Sequence, residues 1–124
     1  MEVNSLAGSE ESLRRLEPLV ALTSDGQVTV LRAVGNTEHF ILLCLVAQQL
    51  AFRLKRVAKK TLSVDELIGA GGLAQRVARQ TIYNSTSKLV KSKILQKVGN
   101  EFFVDERTEL QFFAAVLPSL LGRG

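Results

Sequence analysis

The sequence predicts an α+β fold that is mainly helical, and three observations predict it. Apolar residues recur at helical spacing from Phe40 to Leu54; a second helical pattern from Gln80 to Ser92 is apolar on one face only; two short runs of strand-forming residues flank Gly99-Asn100. The organisation that follows is a mobile arm over residues 1–10, a helix and strand over 11–35, a central domain over 36–105 and an apolar helix over 106–124. With 46% hydrophobic residues in 124, the chain can bury a core without disulfides or metals.

Met1–Glu10 is small and polar, which reads as an arm, and it has no basic segment followed by an apolar one, so no signal peptide is expected. From Glu11 to Leu22 the apolar positions Leu13, Leu16, Leu19, Val20 and Leu22 approximate helical spacing, with Pro18 as a break. Asp25-Gly26 has turn chemistry, and Val28-Thr-Val-Leu-Arg32 alternates as a strand.

Asn36 or Thr37 can cap the first long helix, whose stripe of Phe40, Leu43, Cys44, Ala47, Leu50, Ala51 and Leu54 buries one face. Cys44, the single cysteine, lies within that stripe and reads as a small buried hydrophobe in a reducing cytoplasm. Ser63-Val-Asp-Glu66 matches a capping box, so a short helix starts near Val64. Gly69-Ala-Gly-Gly72 is costly in a helix, at about 1 kcal/mol per glycine, and reads as the turn that ends it. Leu73–Arg79 then forms either an extra helical turn or the second helix itself.

In the next helix Ile82, Thr86, Leu89 and Val90 share one face, while Gln80, Thr81, Asn84, Ser87, Lys88 and Lys91 display polar or cationic groups on the other. No acidic residue interrupts that outer face. Gly99-Asn100 makes a two-residue hairpin turn between Ile94–Val98 and Glu101–Val104. Beyond it, Glu109–Leu121 is apolar nearly all round and must pack, either back on the N-terminal segment or on a second copy; a homodimer through this helix is the expectation.

Net charge is only +4, yet Arg53–Lys97 holds eleven Lys or Arg against Asp65 and Glu66. Charge concentrated in this way attracts phosphate backbones. The cations at Arg53–Lys60 also suit a helix C-terminus, a reading compatible with phosphate contact. The two most apolar stretches, Phe40–Ala47 and Phe112–Leu121, both fall short of the roughly 20 residues that span a bilayer.

Read in order, with Thr81-Ile-Tyr-Asn84, Leu89-Val90, Ile94-Leu95 and Gly99 as its marks, residues 36–105 resemble the winged helix-turn-helix domains of prokaryotic transcription regulators, small archaeal ones in particular. The resemblance implies a DNA-binding regulator of the cytoplasm and nucleoid. Double-stranded DNA would then receive the helix Gln80–Lys91 in its major groove, where Gln80 and Asn84 suit adenine and Lys88 suits guanine, with Thr81 and Ser87 beside them. Arg76, Arg79, Lys91, Lys93 and Lys97 would neutralise phosphates. The sequence departs from the family at Thr86, where Leu is usual, in a longer turn between Glu66 and Thr81, and at Glu101, an acidic residue in the wing.

The alternative is a winged helix used for protein contacts, whose signature is an exposed apolar patch. A membrane-surface module is less well matched, because the terminal helix lacks a charged face. No enzyme is expected, nor a cofactor or metal: His39 is the only histidine and is not in four-ligand spacing with Cys44, and Gly69–Gly72 lacks the Gly-Lys-Ser ending of a phosphate loop.

Overall fold

The computed structural model describes residues 2–122, with side-chain environments from Gly8 onward, and shows a mainly helical α+β fold. Met1, in the expected arm, and residues 123–124, at the end of the C-terminal segment, lie outside the described residues.

Helices begin where the sequence supplies caps. Asn36 accepts a hydrogen bond from His39 N at 3.1 Å and opens α2 (Thr37–Arg53). One buried face was expected of this helix, but all twelve residues from Phe40 to Ala51 are buried. It is covered from every side, by helices, by strands and by the C-terminal segment. Its two buried amides are therefore matched internally: Gln48 donates to Lys59 O at 2.6 Å and Gln49 to Glu109 Oε1 at 2.8 Å.

The N-terminal third departs from expectation. In place of an arm over residues 1–10, helix α1 spans Glu2–Arg15, continuous with the Leu13 and Leu16 turn that packs into the core. It ends before Pro18, and Val20–Leu22, expected at the end of a helix, forms strand β1. Tertiary pairing decides this: β1 runs antiparallel to β2 (Val28–Val30), with Val20 opposite Val30. The Asp25-Gly26 turn joins them, with Gly26 at positive φ. Alternation sends Val20, Val28 and Val30 into the core and Thr29 to the opposite side, where its hydroxyl reaches Ala70 O at 3.5 Å.

Strand β3 (Leu62–Ser63) leads into α3 (Val64–Gly71), whose start has both hydrogen bonds of the capping box, Glu66 N to Ser63 Oγ and Ser63 N to Glu66 Oε1. The glycine tract does not end the helix where expected. Gly69, Ala70 and Gly71 remain helical; Ala70 and Gly71 are buried, and a Cβ on Gly71 would stand in ordinary contact at 3.6 Å from the Phe40 ring, while one on Gly69 would meet nothing within 4 Å. The chain leaves at Gly72, with φ 55° and ψ −136°, a conformation open to glycine alone. Neither reading of Leu73–Arg79 holds. Residues 73–78 form a turn and an extended loop, braced by Gln75, which bonds both backbone groups of Val34 at 2.6 and 2.7 Å.

Helix α4 (Arg79–Lys91) buries Ile82, Thr86 and Leu89 as expected. Thr86 is tolerated among them because its hydroxyl donates to Tyr83 O at 3.0 Å. Strands β4 (Gln96–Val98) and β5 (Glu101–Phe103) form the hairpin, with Val98 opposite Glu101 and Gly99 at φ 60°. Strand β5 is central, pairing with β3 on its other edge.

The C-terminal segment packs mainly against α2 of its own chain, and Leu110 on it stays exposed. Asp105 caps α5 (Glu106–Gln111), a π-helical turn follows over Phe112–Val116, and α6 (Leu117–Gly122) completes it. The widening falls immediately before Pro118, which has no N–H to continue the ladder. Phe112 and Leu117 are buried, and Arg15 stacks 5.1 Å from the Phe113 ring centroid. Glu109 holds the segment to α2: both its oxygens accept from Arg53, one also accepts from Gln49, and Arg53 in turn reaches Ser9 of α1 at 3.1 Å.

Cys44 is fully buried in α2, and desolvation pushes its thiol far above the ordinary range.

Two predictions follow from this packing. Glu109→Ala leaves the buried Gln49 amide without its acceptor and Arg53, still partly exposed, with the Ser9 hydroxyl alone among the described residues, and is expected to cost about 2 kcal/mol in urea denaturation. Gly72→Ala places a Cβ 3.0 Å from Thr29 Oγ1 in a left-handed conformation, and is expected to lower the same stability by about 1–3 kcal/mol.

Candidate nucleic-acid interface

One flank of α4, the start of α3 and the β4–β5 hairpin enclose an open cleft of about 450 Å³, with Val64, Val90 and Phe102 among its lining. Arg79, Tyr83, Ser87 and Lys91 enter it from α4, Asp65 from α3, and Lys97 and Asn100 from the hairpin. Gln80, Thr81, Asn84 and Lys88 are exposed along the rest of the helix, and Lys93 is exposed immediately after it, at φ 65°. The structure thus brings nine of the ten sequence-derived site residues onto α4 and the segment from its end to the hairpin. Arg76 stands apart, exposed on the loop that precedes α4 and outside the cleft.

Pairing divides these residues in a way that the sequence did not reveal. Arg79 is ion-paired with Asp65, and Lys88 Nζ lies 3.1 Å from Glu38 in the first turn of α2. Both pairs are largely solvent-exposed, so each is worth about 1 kcal/mol at most and opens readily. Gln80 donates to Asn84 at 2.9 Å along the helix, which pre-orients the two amides. Among the described residues, Arg76, Lys91, Lys93 and Lys97 have no carboxylate within salt-bridge distance. Glu38 and Asp65 were missed because their approach to α4 depends on how three helices pack.

Helix α4 also begins without a side chain to satisfy its first-turn N–H groups: its N-cap is Ala78, and no acidic residue occupies that turn. Its N-terminus therefore keeps its partial positive charge.

The cations of the α2–β3 connection are engaged differently. Arg53 binds Glu109, Arg56 lies 3.4 Å from Glu10, and Lys59 bridges Glu66 at 2.9 Å and Glu101 at 2.8 Å. Lys60 lies 4.4 Å from the Phe103 ring centroid. Most of the basic run from Arg53 to Lys60 thus serves the fold. The acidic wing residue has the same explanation: Glu101 accepts from Lys59 and from the Thr61 hydroxyl, at the start of β5 and turned toward β3. The bond from Lys59, aided by that from Thr61, holds its carboxyl below the usual range, while the bonds to Glu101 and Glu66 hold the Lys59 ammonium above its own.

No helix among the described residues is long and apolar enough to cross a membrane. No group of three or more His, Cys, Asp or Glu among them is placed to hold a metal. Comparison with family models, curated protein sequences and solved structures finds no match.

The Lys59–Glu101 tie fixes a pH window for the hairpin. A carboxyl lowered by folding stabilises above its unfolded pKa and loses that contribution as pH falls through the folded value. The raised ammonium contributes below its unfolded pKa and loses that as pH rises through its raised one. Protection of the amides across Val98–Phe103, taken relative to the intrinsic exchange rate at each pH, is expected to be high at neutral pH and to fall below the carboxylate range, and Glu101→Gln is expected to lower it at neutral pH.

Proposed function

We propose that residues 36–105 form a winged helix-turn-helix domain that binds double-stranded DNA, with α4 in the major groove and the β4–β5 hairpin as the wing. The observation that carries this reading is the outer surface of α4, where Gln80, Thr81, Asn84, Lys88 and Lys91 stand exposed with no acidic residue in the helix. The order of elements supports it, as does a three-stranded sheet that closes on the hairpin after α4. A major groove about 12 Å wide admits such a helix, and paired amides at Gln80 and Asn84 match the donor and acceptor edge of adenine.

Lys91, Lys93 and Lys97 are the phosphate-contacting cations in this reading, joined by the open N-terminus of α4. Arg79 and Lys88 exchange a carboxylate for DNA, Lys88 against a base edge. About four phosphate contacts correspond to a loss of roughly a hundredfold in affinity between 50 and 200 mM salt. By family resemblance, the domain would serve a transcription regulator working at the nucleoid. The alternative, a protein-contact module using Phe102, Phe103 and the terminal helix, is less well supported: Phe102 is buried and Phe103 half-buried beneath Lys60, which leaves Leu110 as the large apolar side chain most exposed on the C-terminal segment.

Fluorescence anisotropy with random-sequence duplex at 50 and 200 mM salt tests the proposal. The wild-type chain is expected to bind with the steep salt loss above, and Lys91→Ala/Lys97→Ala to weaken binding uniformly and reduce the log–log salt slope by about 2. Absence of binding at 50 mM salt overturns it.

A further inference from the structure

Leu73 is fully exposed, yet the loop that carries it is held at both ends. Gly72 packs against Thr29, and two residues beyond Leu73 the Gln75 amide bonds both backbone groups of Val34. A leucine displayed on a loop braced in this way presents its apolar surface to water. Arg76, exposed and without a carboxylate partner among the described residues, follows three positions later.

A complementary surface exists on the other side of the molecule. Between α1, the β1–β2 hairpin and α2 lies a pocket of about 320 Å³, lined mainly by Leu13, Val20, Leu22, Val28 and Leu31. Two charged residues reach it. Arg56 is engaged by Glu10, whereas Glu17 has no cation within salt-bridge distance among the described residues. A chain cannot insert its own Leu73 here. Thr29 faces Gly72 and Ala70, while Val20 and Val28 point to the opposite face of the same hairpin and line the pocket.

We propose that this pocket receives Leu73 of a second copy of the chain, with Arg76 of that copy paired to Glu17. Because knob and pocket are different surfaces on opposite faces, the contact adds copies head to tail. It shares no residue with the cleft at α4, so both can be occupied together. One knob in one pocket covers less than the roughly 1,200 Å² of a stable interface, so the association is weak and depends on high local concentration.

Sedimentation velocity of the full chain without DNA, from micromolar to millimolar concentration at low salt, tests the proposal independently of the DNA reading. The wild-type chain is expected to sediment faster as concentration rises. Leu73→Glu, Arg76→Glu and Glu17→Arg are each expected to weaken association at least about tenfold, with unchanged thermal melts because all three side chains are exposed. An equimolar mixture of Arg76→Glu and Glu17→Arg is expected to associate again, since every contact between unlike copies then pairs opposite charges. A wild-type chain that stays monomeric to millimolar concentration, association indifferent to Leu73→Glu, or a mixture that stays monomeric overturns it.

Discussion

The enclosure of α2 is the constraint from which the rest of the architecture follows. A helix with twelve consecutive buried residues has no solvent face, so every direction around it must be filled by another element. Each large side chain it buries contributes about 1.5–3 kcal/mol, but only if that cover is complete. The segments before residue 36 and after residue 105 are therefore parts of the core and not appendages. The same enclosure explains the buried polar chemistry. Gln48 and Gln49 would be costly on a helix without solvent, and each is matched by a group from a neighbouring segment, the Lys59 carbonyl and the Glu109 carboxylate.

Charge is partitioned along the chain by the same logic. Arg53, Arg56 and Lys59, at and after the end of α2, are turned inward or sideways to carboxylates from α1, α3, β5 and α5, where they tie the periphery to the centre. The basic residues of α4 and the hairpin face outward, Arg79 and Lys88 beside exposed carboxylates of α3 and α2, Lys91 and Lys97 with none within salt-bridge distance among the described residues. What looks like one continuous basic segment in the sequence is thus two populations with different tasks. The first joins segments of the chain, and the second shapes the field at the surface.

Features encoded within a few residues were legible in the sequence. The Asn36 cap, the Ser63–Glu66 box, the Gly99-Asn100 turn and the two-faced composition of α4 all depend on neighbours in the chain. Features set by long-range packing were not. Nothing near Val20–Leu22 announces a strand until β2 lies beside it, and Gly71 looks like a helix breaker until it is seen packed against Phe40. In the same way, the outer face of α4 could be read directly, whereas the carboxylates that hold Arg79 and Lys88 come from positions 14 and 50 residues earlier in the chain.

The thiol at the centre of α2 gives the molecule an internal reporter of its own opening. Thiolate is the form that reacts with alkylating and oxidising reagents, and burial disfavours it so strongly that Cys44 is chemically silent while the helix stays enclosed. Because α2 is covered on all sides, fraying of an end or loosening of the hairpin leaves that silence intact. Only an excursion that strips cover from the middle of the helix exposes the sulfur, so its rate of labelling follows the largest fluctuations of the chain and ignores the small ones.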